Sequence, residues 1–281
     1  MSLFFVMQTT AHLWETLCSD FESRKQSSPP EDYVRVARDF AEGAHRMLRA
    51  DSPRLIDAIE IAGDVCQSCG ELVDARAFFE EALTLARRAD SRPSAARISA
   101  KLAMLADSLN DLVTARDLYK SAMEAFEQAG DRSMLSPLLN GYASVCRRLG
   151  DSVEAERAYS RAMEMAARIH GETHPEVAIA ANNLGVAYTD AGDLVQAENL
   201  HMQALAIREK CFGGMHPDVA QSLGNLAVVY HTSRDFDRAE NFYRASLDIY
   251  RRFRPDDDPE VAAIRANAEI LAGQRANQTG K

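Results

Sequence analysis

The stretch ANNLGVAYTDAGDLVQAENLHMQALA, residues 181–206, carries the decision about the fold. Within it Leu184, Gly185 and Tyr188 lie on one helical stripe, Gly192 closes that helix, and Asp193 stands where the next helix needs a cap. Ala197, His201 and Ala204 form a second stripe at spacings of four and three. Small residues fall where two helices must approach, and a larger one fills the gap between them. The segment predicts two antiparallel helices joined by a tight turn.

The same grammar recurs outward from it, as Gly63, Cys66, Gly70, Ala75, Phe79 and Ala82, as Ala143, Cys146, Gly150, Ala155, Tyr159 and Ala162, and as Leu226, Ala227, Tyr230, Ala239 and Tyr243. Its fixed point is an alanine, at Ala75, Ala115, Ala155, Ala197 and Ala239, with intervals of 40, 40, 42 and 42. A period in this range belongs to a solenoid, whose units cannot bury their apolar faces alone and must stack. The expected fold is all-α, a right-handed superhelical solenoid of stacked antiparallel helix pairs. Residues 1–52 are read as N-terminal capping helices, 53–257 as five helix pairs, 258–274 as a C-terminal capping helix and 275–281 as a frayed tail.

Small residue, aromatic, turn Gly, Ala, aromatic, Ala is an order similar to the tetratricopeptide signature. A 34-residue period is its commonest form, and the longer spacing here adds one or two helical turns or a longer connection per unit. In the last units that connection reads His174-Pro175-Glu176-Val177-Ala178, His216-Pro217-Asp218-Val219-Ala220 and Asp258-Pro259-Glu260-Val261-Ala262. Proline is tolerated at the first helical position, and the acid after it sits at the positive end of the helix dipole. Together with Asn182-Asn183-Leu184 and Ala204-Leu205-Ala206-Ile207-Arg208-Glu209-Lys210, these segments resemble the 42-residue repeats of kinesin light chains, specifically over residues 171–272 and more weakly before.

The chain has 281 residues, 46% hydrophobic and 26% charged, enough apolar content for a continuous core. Its net charge of −10 argues against nucleic acid as a partner, since a phosphate backbone is held by clustered Lys and Arg. Five cysteines, Cys18, Cys66, Cys69, Cys146 and Cys211, follow no secretory signal, which points to a reducing, cytoplasmic setting. Cys66 and Cys69 have C-x-x-C spacing, but no second pair completes a tetrahedral zinc site, and Cys66 takes the aromatic slot of its repeat. No apolar run reaches the roughly 18 residues that span a bilayer.

Leu3-Phe4-Phe5-Val6-Met7 is a short apolar run ahead of a helix predicted over 10–22, which carries Leu13, Trp14, Leu17 and Phe21. Ser27 to Pro30 reads as a loop, and a second helix over 31–49 presents Val34, Ala37, Ala41, Ala44 and Leu48. Packing against the first repeat is the expected role of this region. The alternative is a peripheral membrane contact or a dimer interface anchored by Leu3, Phe4, Phe5 and Trp14.

Enzyme chemistry is not expected. His170 and His174 have the spacing of a metal-binding pair on a helix, but Gly171 and Pro175 place them in a connection, and the glutamate is not beside the first histidine as H-E-x-x-H requires. The His-Pro pair recurs at His216-Pro217, so a repeat-level structural role explains it. Neither a G-x-x-x-x-G-K-[ST] loop nor a G-x-S-x-G elbow is present, and no metal or cofactor is expected.

Recognition remains. In such a stack the first helix of each unit lines the concave surface, where Asn140, Asn182, Asn183, Asn225 and Asn267 fall. An amide side chain can hold a peptide's N–H and C=O without demanding a particular side chain, so the row suits an extended peptide. Lys101, Arg147, Arg148 and His231, also on first helices, are placed to meet acidic groups on a partner, with the helix C-terminal dipole as the competing explanation for the two arginines.

The kinesin light chain resemblance implies that the groove asparagines help to hold cargo peptides. The asparagine of that family's Asn-Leu motif appears as Asn183, Asn225 and Asn267, the last followed by Ala268, with Gly224 and Ala266 in place of Asn182. Compact bacterial members occur with bacterial tubulins, so the implied partner is a protein, either an extended peptide or a tubulin-like filament subunit. A filament- or membrane-linking protein acting through its N-terminus and outer surface is the alternative. A peptide-sensing regulator is the weaker rival, because only some 50 residues precede the first clear repeat.

Overall fold

Thirteen α-helices make up the regular structure of the described residues, which in this computed structural model are 3–29, 32–255 and 257–278, with side chains described from Trp14 to Ala276 within those ranges. They are α1 (Leu3–Ser27), α2 (Tyr33–Met47), α3 (Pro53–Ser68), α4 (Leu72–Arg88), α5 (Arg92–Ser108), α6 (Leu112–Ala129), α7 (Leu135–Arg148), α8 (Ser152–His170), α9 (Pro175–Ala191), α10 (Leu194–Phe212), α11 (Pro217–Thr232), α12 (Phe236–Tyr250) and α13 (Pro259–Gln278). The helices from α3 to α12 form five antiparallel pairs, the odd-numbered helix first in each. The chain divides into two compact units, one up to Met134 and one from Leu135.

What draws the helices of a pair together is a size mismatch across their contact. A Cβ added at Gly63 of α3 would lie 2.6 Å from the Phe79 ring of α4, and one at Gly185 of α9 would lie 2.8 Å from the His201 ring of α10. Ala103 and Tyr119, Ala143 and Tyr159, and Ala227 and Tyr243 take the same two positions, and all six are buried. A small residue lets the backbones approach, and the ring fills the space that approach leaves.

In the first unit the core runs from Phe21 and Phe40 through Ile56, Ile59 and Phe79 to Ile98 and Leu105. The rings of Phe21 and Phe40 stack at 4.4 Å, and Trp14 leans on Phe40 at 6.1 Å. The described part of α1 therefore packs on α2. The helix itself runs from Leu3 to Ser27, well beyond the predicted 10–22, because no Pro or Gly interrupts residues 3–27; Ser27 ends the helix and does not belong to the loop. The side chains of Leu3, Phe4 and Phe5 lie outside the described residues. In the second unit Leu205, Val219, Leu226, Tyr243, Tyr250, Val261 and Leu271 share one core. Here α13 continues to Gln278, past the predicted end at 274, and Arg275 pairs with Asp237 at 2.7 Å and with Glu240, tying that last stretch to α12.

The turns obey the repeat as well. The left-handed position between first and second helix is Gly70, Gly150 and Gly192, with φ of 81°, 84° and 82°, but Asn110 and Arg234 hold it at 60° and 63°. The second helices open on Asp111, Asp151, Asp193 and Asp235, each accepting a backbone N–H three residues on at 3.1–3.3 Å. First helices α9 and α11 open on histidine caps: His174 Nδ1 accepts from the N–H of Glu176 at 3.3 Å, and His216 Nδ1 from that of Asp218 at 3.2 Å. Asp258 does the same for α13 at 3.0 Å. The His-Pro motif is thus a cap followed by proline at the first helical position. Cys66 is buried in the first unit's core, where desolvation pushes its thiol up to about 11, and Cys69 caps the end of α3.

Two outcomes follow from these packing sites. Arg234→Gly should raise unfolding free energy by about 1 kcal/mol, the strain of a left-handed side-chain-bearing residue, as read by urea denaturation; an unchanged midpoint would refute it. His201 is 1% exposed with Nδ1 lacking a hydrogen-bond partner, and burial, then the nearby Arg208 charge, lowers its pKa to about 4. The unfolded chain takes up that proton near pH 6.5 and the folded one resists it, so stability is present above that pH and lost as pH falls toward 4. His201→Phe should be insensitive over this window, gaining up to about 3 kcal/mol on the parent between pH 7 and pH 4.5. Parallel loss in both proteins would show that His201 is not the titrating group.

Candidate functional site: the face of the first helices

In the second unit, α7 touches α9, α9 touches α11, and α11 touches α13, whereas α8, α10 and α12 do not pack on one another in this way. The face of the first helices is therefore the inside of that unit's bend. It carries the asparagines singled out by the sequence, and they are joined in rungs. Asn183 Nδ2 donates to Asn140 Oδ1 at 3.3 Å, and Asn225 Nδ2 donates to Asn182 Oδ1 at 2.8 Å. Asn140 Nδ2 donates back to the Ser136 carbonyl at 3.2 Å.

Asn182 is buried, so it supports Asn225 and is not itself an open contact. Asn140, Asn183, Asn225 and Asn267 remain half-buried. By the same stagger Asn267 faces Gly224, which has no amide to offer; a Cβ there would lie 3.0 Å from Ile264 Cδ1, so the missing side chain makes room for α13.

The charged candidates are engaged inside the protein. Arg147 on α7 donates to Asp190 on α9 at 2.6 Å, and Arg148 is exposed and also has a protein partner. His231 on α11 lies 3.1 Å from Gln274 Oε1 on α13 and 3.4 Å from the Tyr243 hydroxyl. Within the protein, Arg147 and His231 connect neighbouring first helices.

Lys101 belongs to the first unit and occupies the rung position that asparagine takes in the second. Its Nζ lies 2.7 Å from Glu60 and 2.6 Å from Asp64 on α3, and 5.6 Å above the Phe79 ring. Arg97 grips the same Glu60 with two nitrogens, at 2.8 and 2.6 Å. Burial alone would push the Glu60 carboxyl up, but the bonds from Arg97 and Lys101 outweigh it and hold the carboxyl below its ordinary range. Glu60 is 4% exposed, the buried centre of an ion cluster whose Arg97 and Asp64 stay exposed.

Sequence reading missed Arg208, buried between α10 and α11. It donates to the Asp218 carbonyl at 2.9 Å, the Ser222 hydroxyl at 2.7 Å and Gln221 Oε1 at 3.1 Å, and burial lowers its pKa. The available signal was a charge in a column whose other members are Ala86, Phe126, Ala166 and Tyr250. Ile179 on α9 and Ile270 on α13 are exposed apolar residues. Among the described residues no three His, Cys, Asp or Glu side chains gather as metal ligands, and the His170 and His174 rings stack on each other at 4.4 Å.

Residues 57–128, 134–210 and 180–252 match the family model of the tetratricopeptide repeat. No curated protein matches in sequence. The chain is similar to the crystal structure of BtubC (BKLC) from P. vanneervenii, with a TM-score of 0.70 and 28% identity over 83% of this chain and 96% of that one. It shares its fold with a Rap protein complexed with competence and sporulation factor, at TM-score 0.64 and 15% identity over 95% of this chain and 71% of that one. The apo quorum sensor NprR from B. thuringiensis matches at TM-score 0.67 and 13% identity, over 95% and 70%.

The ion cluster in the first unit generates a non-additive prediction. Lys101→Ala leaves Glu60 with Arg97 and should cost about 1 kcal/mol, while Lys101→Ala with Arg97→Ala strands a buried carboxylate and should cost about 3–5 kcal/mol. Adding Glu60→Leu should recover most of that loss in urea denaturation; no recovery would mean that packing, and not the stranded charge, sets the cost.

Proposed function

Because the chain belongs to the tetratricopeptide-repeat family, we propose that it is a non-enzymatic interaction scaffold, kinesin light chain-like and cytoplasmic, that holds an extended segment of a tubulin-like filament subunit on the first-helix face of its second unit. The observation that carries this reading is the rung geometry. Each rung uses one N–H of Asn183 or Asn225 and fixes the plane of the amide, leaving its carbonyl oxygen and second N–H for a ligand. Two such groups at successive repeats match the alternating donors and acceptors of an extended backbone, and their orientation is set before binding, which lowers the ordering cost. Half-buried Asn267, opposite Gly224, adds a third amide not committed to a rung across that pair. The tubulin-like partner is supported by the family resemblance of the His-Pro repeats and by the likeness to BtubC.

Co-sedimentation of the purified chain with polymerised bacterial tubulin tests the reading. The parent should pellet with filaments, and Asn183→Ala with Asn267→Ala should weaken binding at least tenfold while far-UV circular dichroism is retained. A parent that stays in the supernatant removes the tubulin-like partner. Undiminished pelleting of the double variant moves the contact off this face.

A further inference from the structure

At the far side of the second unit, α12 and α13 enclose an open groove of about 570 Å³. Its floor is apolar, with Leu247, Ala268 and Ala272, and Arg244, Arg251 and Arg275 rim it. One repeat earlier, the position of Leu247 is Leu205, which is buried in the core shared with α11 and α12. Leu247 is half-buried, packed on the edge of that core, whereas Ala272 is exposed, and no described helix fills the space between α12 and α13. The groove thus has the dimensions and lining of a place where a helix packs.

Its charge differs from that of the preceding repeat. Met202 and Glu209 on α10 are replaced at the corresponding positions by Arg244 on α12 and Arg251 just after it. Arg251 pairs with Asp248 at 3.2 Å, and Arg275 with Asp237 and Glu240. Arg244 donates only to the neutral Asn241 amide oxygen, at 2.6 Å, and is exposed, so among the described residues it is the groove cation without a carboxylate. A further substitution narrows the occupant. The small residue that receives a partner ring, Gly185 in α9 and Ala227 in α11, is Glu269 in α13, exposed and charged. An ordinary second helix, with its bulky residue at that slot, would bury this carboxylate, which disfavours completion of the unit by another repeat.

We propose that this groove docks an amphipathic helix of a partner protein, apolar on the stripe that meets Leu247, Ala268 and Ala272, and acidic along the edge that meets Arg244. Such a helix covers the apolar floor and gives the Arg244 guanidinium a carboxylate that the described residues do not supply. It approaches from the α12 side, away from Glu269. This surface is separate from the asparagine face, and either can exist without the other.

The probe is a fluorescein-labelled 18-residue peptide with Leu and Ala at helical i, i+3, i+4 spacing and Glu elsewhere, beside a copy with Lys for every Glu, titrated into the full chain by fluorescence anisotropy. The acidic peptide should bind at least tenfold tighter than the basic one and weaken as salt rises. Arg244→Glu and Ala272→Glu, both at exposed sites, should each lower its affinity at least tenfold with circular dichroism unchanged, while Asn183→Ala with Asn267→Ala leaves it intact. Equal binding of the two peptides, or no response to the groove variants, overturns the proposal. So does a concentration-dependent dimer in sedimentation equilibrium that Arg244→Glu dissolves, since the groove then belongs to a second copy.

Discussion

A ring on one helix pressed against a residue of little or no side chain on its neighbour is the contact on which the rest of this protein depends. With Phe79 filling the space over Gly63, and His201 that over Gly185, the two helices of a pair come close enough to bury one face of each. The other faces stay apolar and exposed until a further pair covers them, so a closed two-helix unit is not available and the array follows. His201 shows how strongly position outweighs chemistry: an imidazole is accepted where other repeats have Phe or Tyr, although its Nδ1 goes without a hydrogen bond and its basicity collapses. The cost of that substitution is carried by the packing of the ring.

Helix pairing was legible because these contacts repeat in register with the sequence. Ala75, Ala115, Ala155, Ala197 and Ala239 mark it, and the Asp caps and the His-Pro starts follow the same count. The rungs were not legible for a related reason. They join residues 41 or 43 positions apart, Lys101 to Glu60 and Asn183 to Asn140, one step beyond the period, because neighbouring first helices are staggered. An analysis that aligns repeats column by column places each asparagine beside its own counterpart and not beside its bonding partner. The extension of α1 was hidden differently, since a stretch with no Pro or Gly within it leaves its helix boundaries undetermined in sequence.

One site shows how the repeat preserves a role while changing its chemistry. His170 stacks on the cap His174, Phe212 stacks on the cap His216 at 4.5 Å, and at the next repeat Arg254 pairs with the cap Asp258 at 3.2 Å. His170 and Phe212 end their second helices and Arg254 follows α12 by four residues, and each holds the residue that begins the next first helix, so the connection is fixed at both ends. The histidines that resembled metal ligands are members of this column, and their second neighbours continue it: Glu176 meets His170 at 3.4 Å, and Glu260 meets Arg254 at 2.9 Å.

The same contrast between role and chemistry decides where a ligand can be held. Lys101 with Glu60 and Asn183 with Asn140 are the same rung, and both tie one first helix to the next. A buried carboxylate between two cations has its charge compensated, so opening the cluster to admit a peptide would strand charge in a poorly solvated place. An amide rung carries no such penalty and uses only part of the hydrogen-bonding capacity of each side chain. The first unit therefore spends its inner polar residues on holding α3 to α5, whereas the second holds its first helices together with groups that can bind a backbone at the same time. Candidate binding residues in a repeat protein are separated by what their inter-repeat bonds leave over, a property of the side-chain chemistry and not of exposure alone.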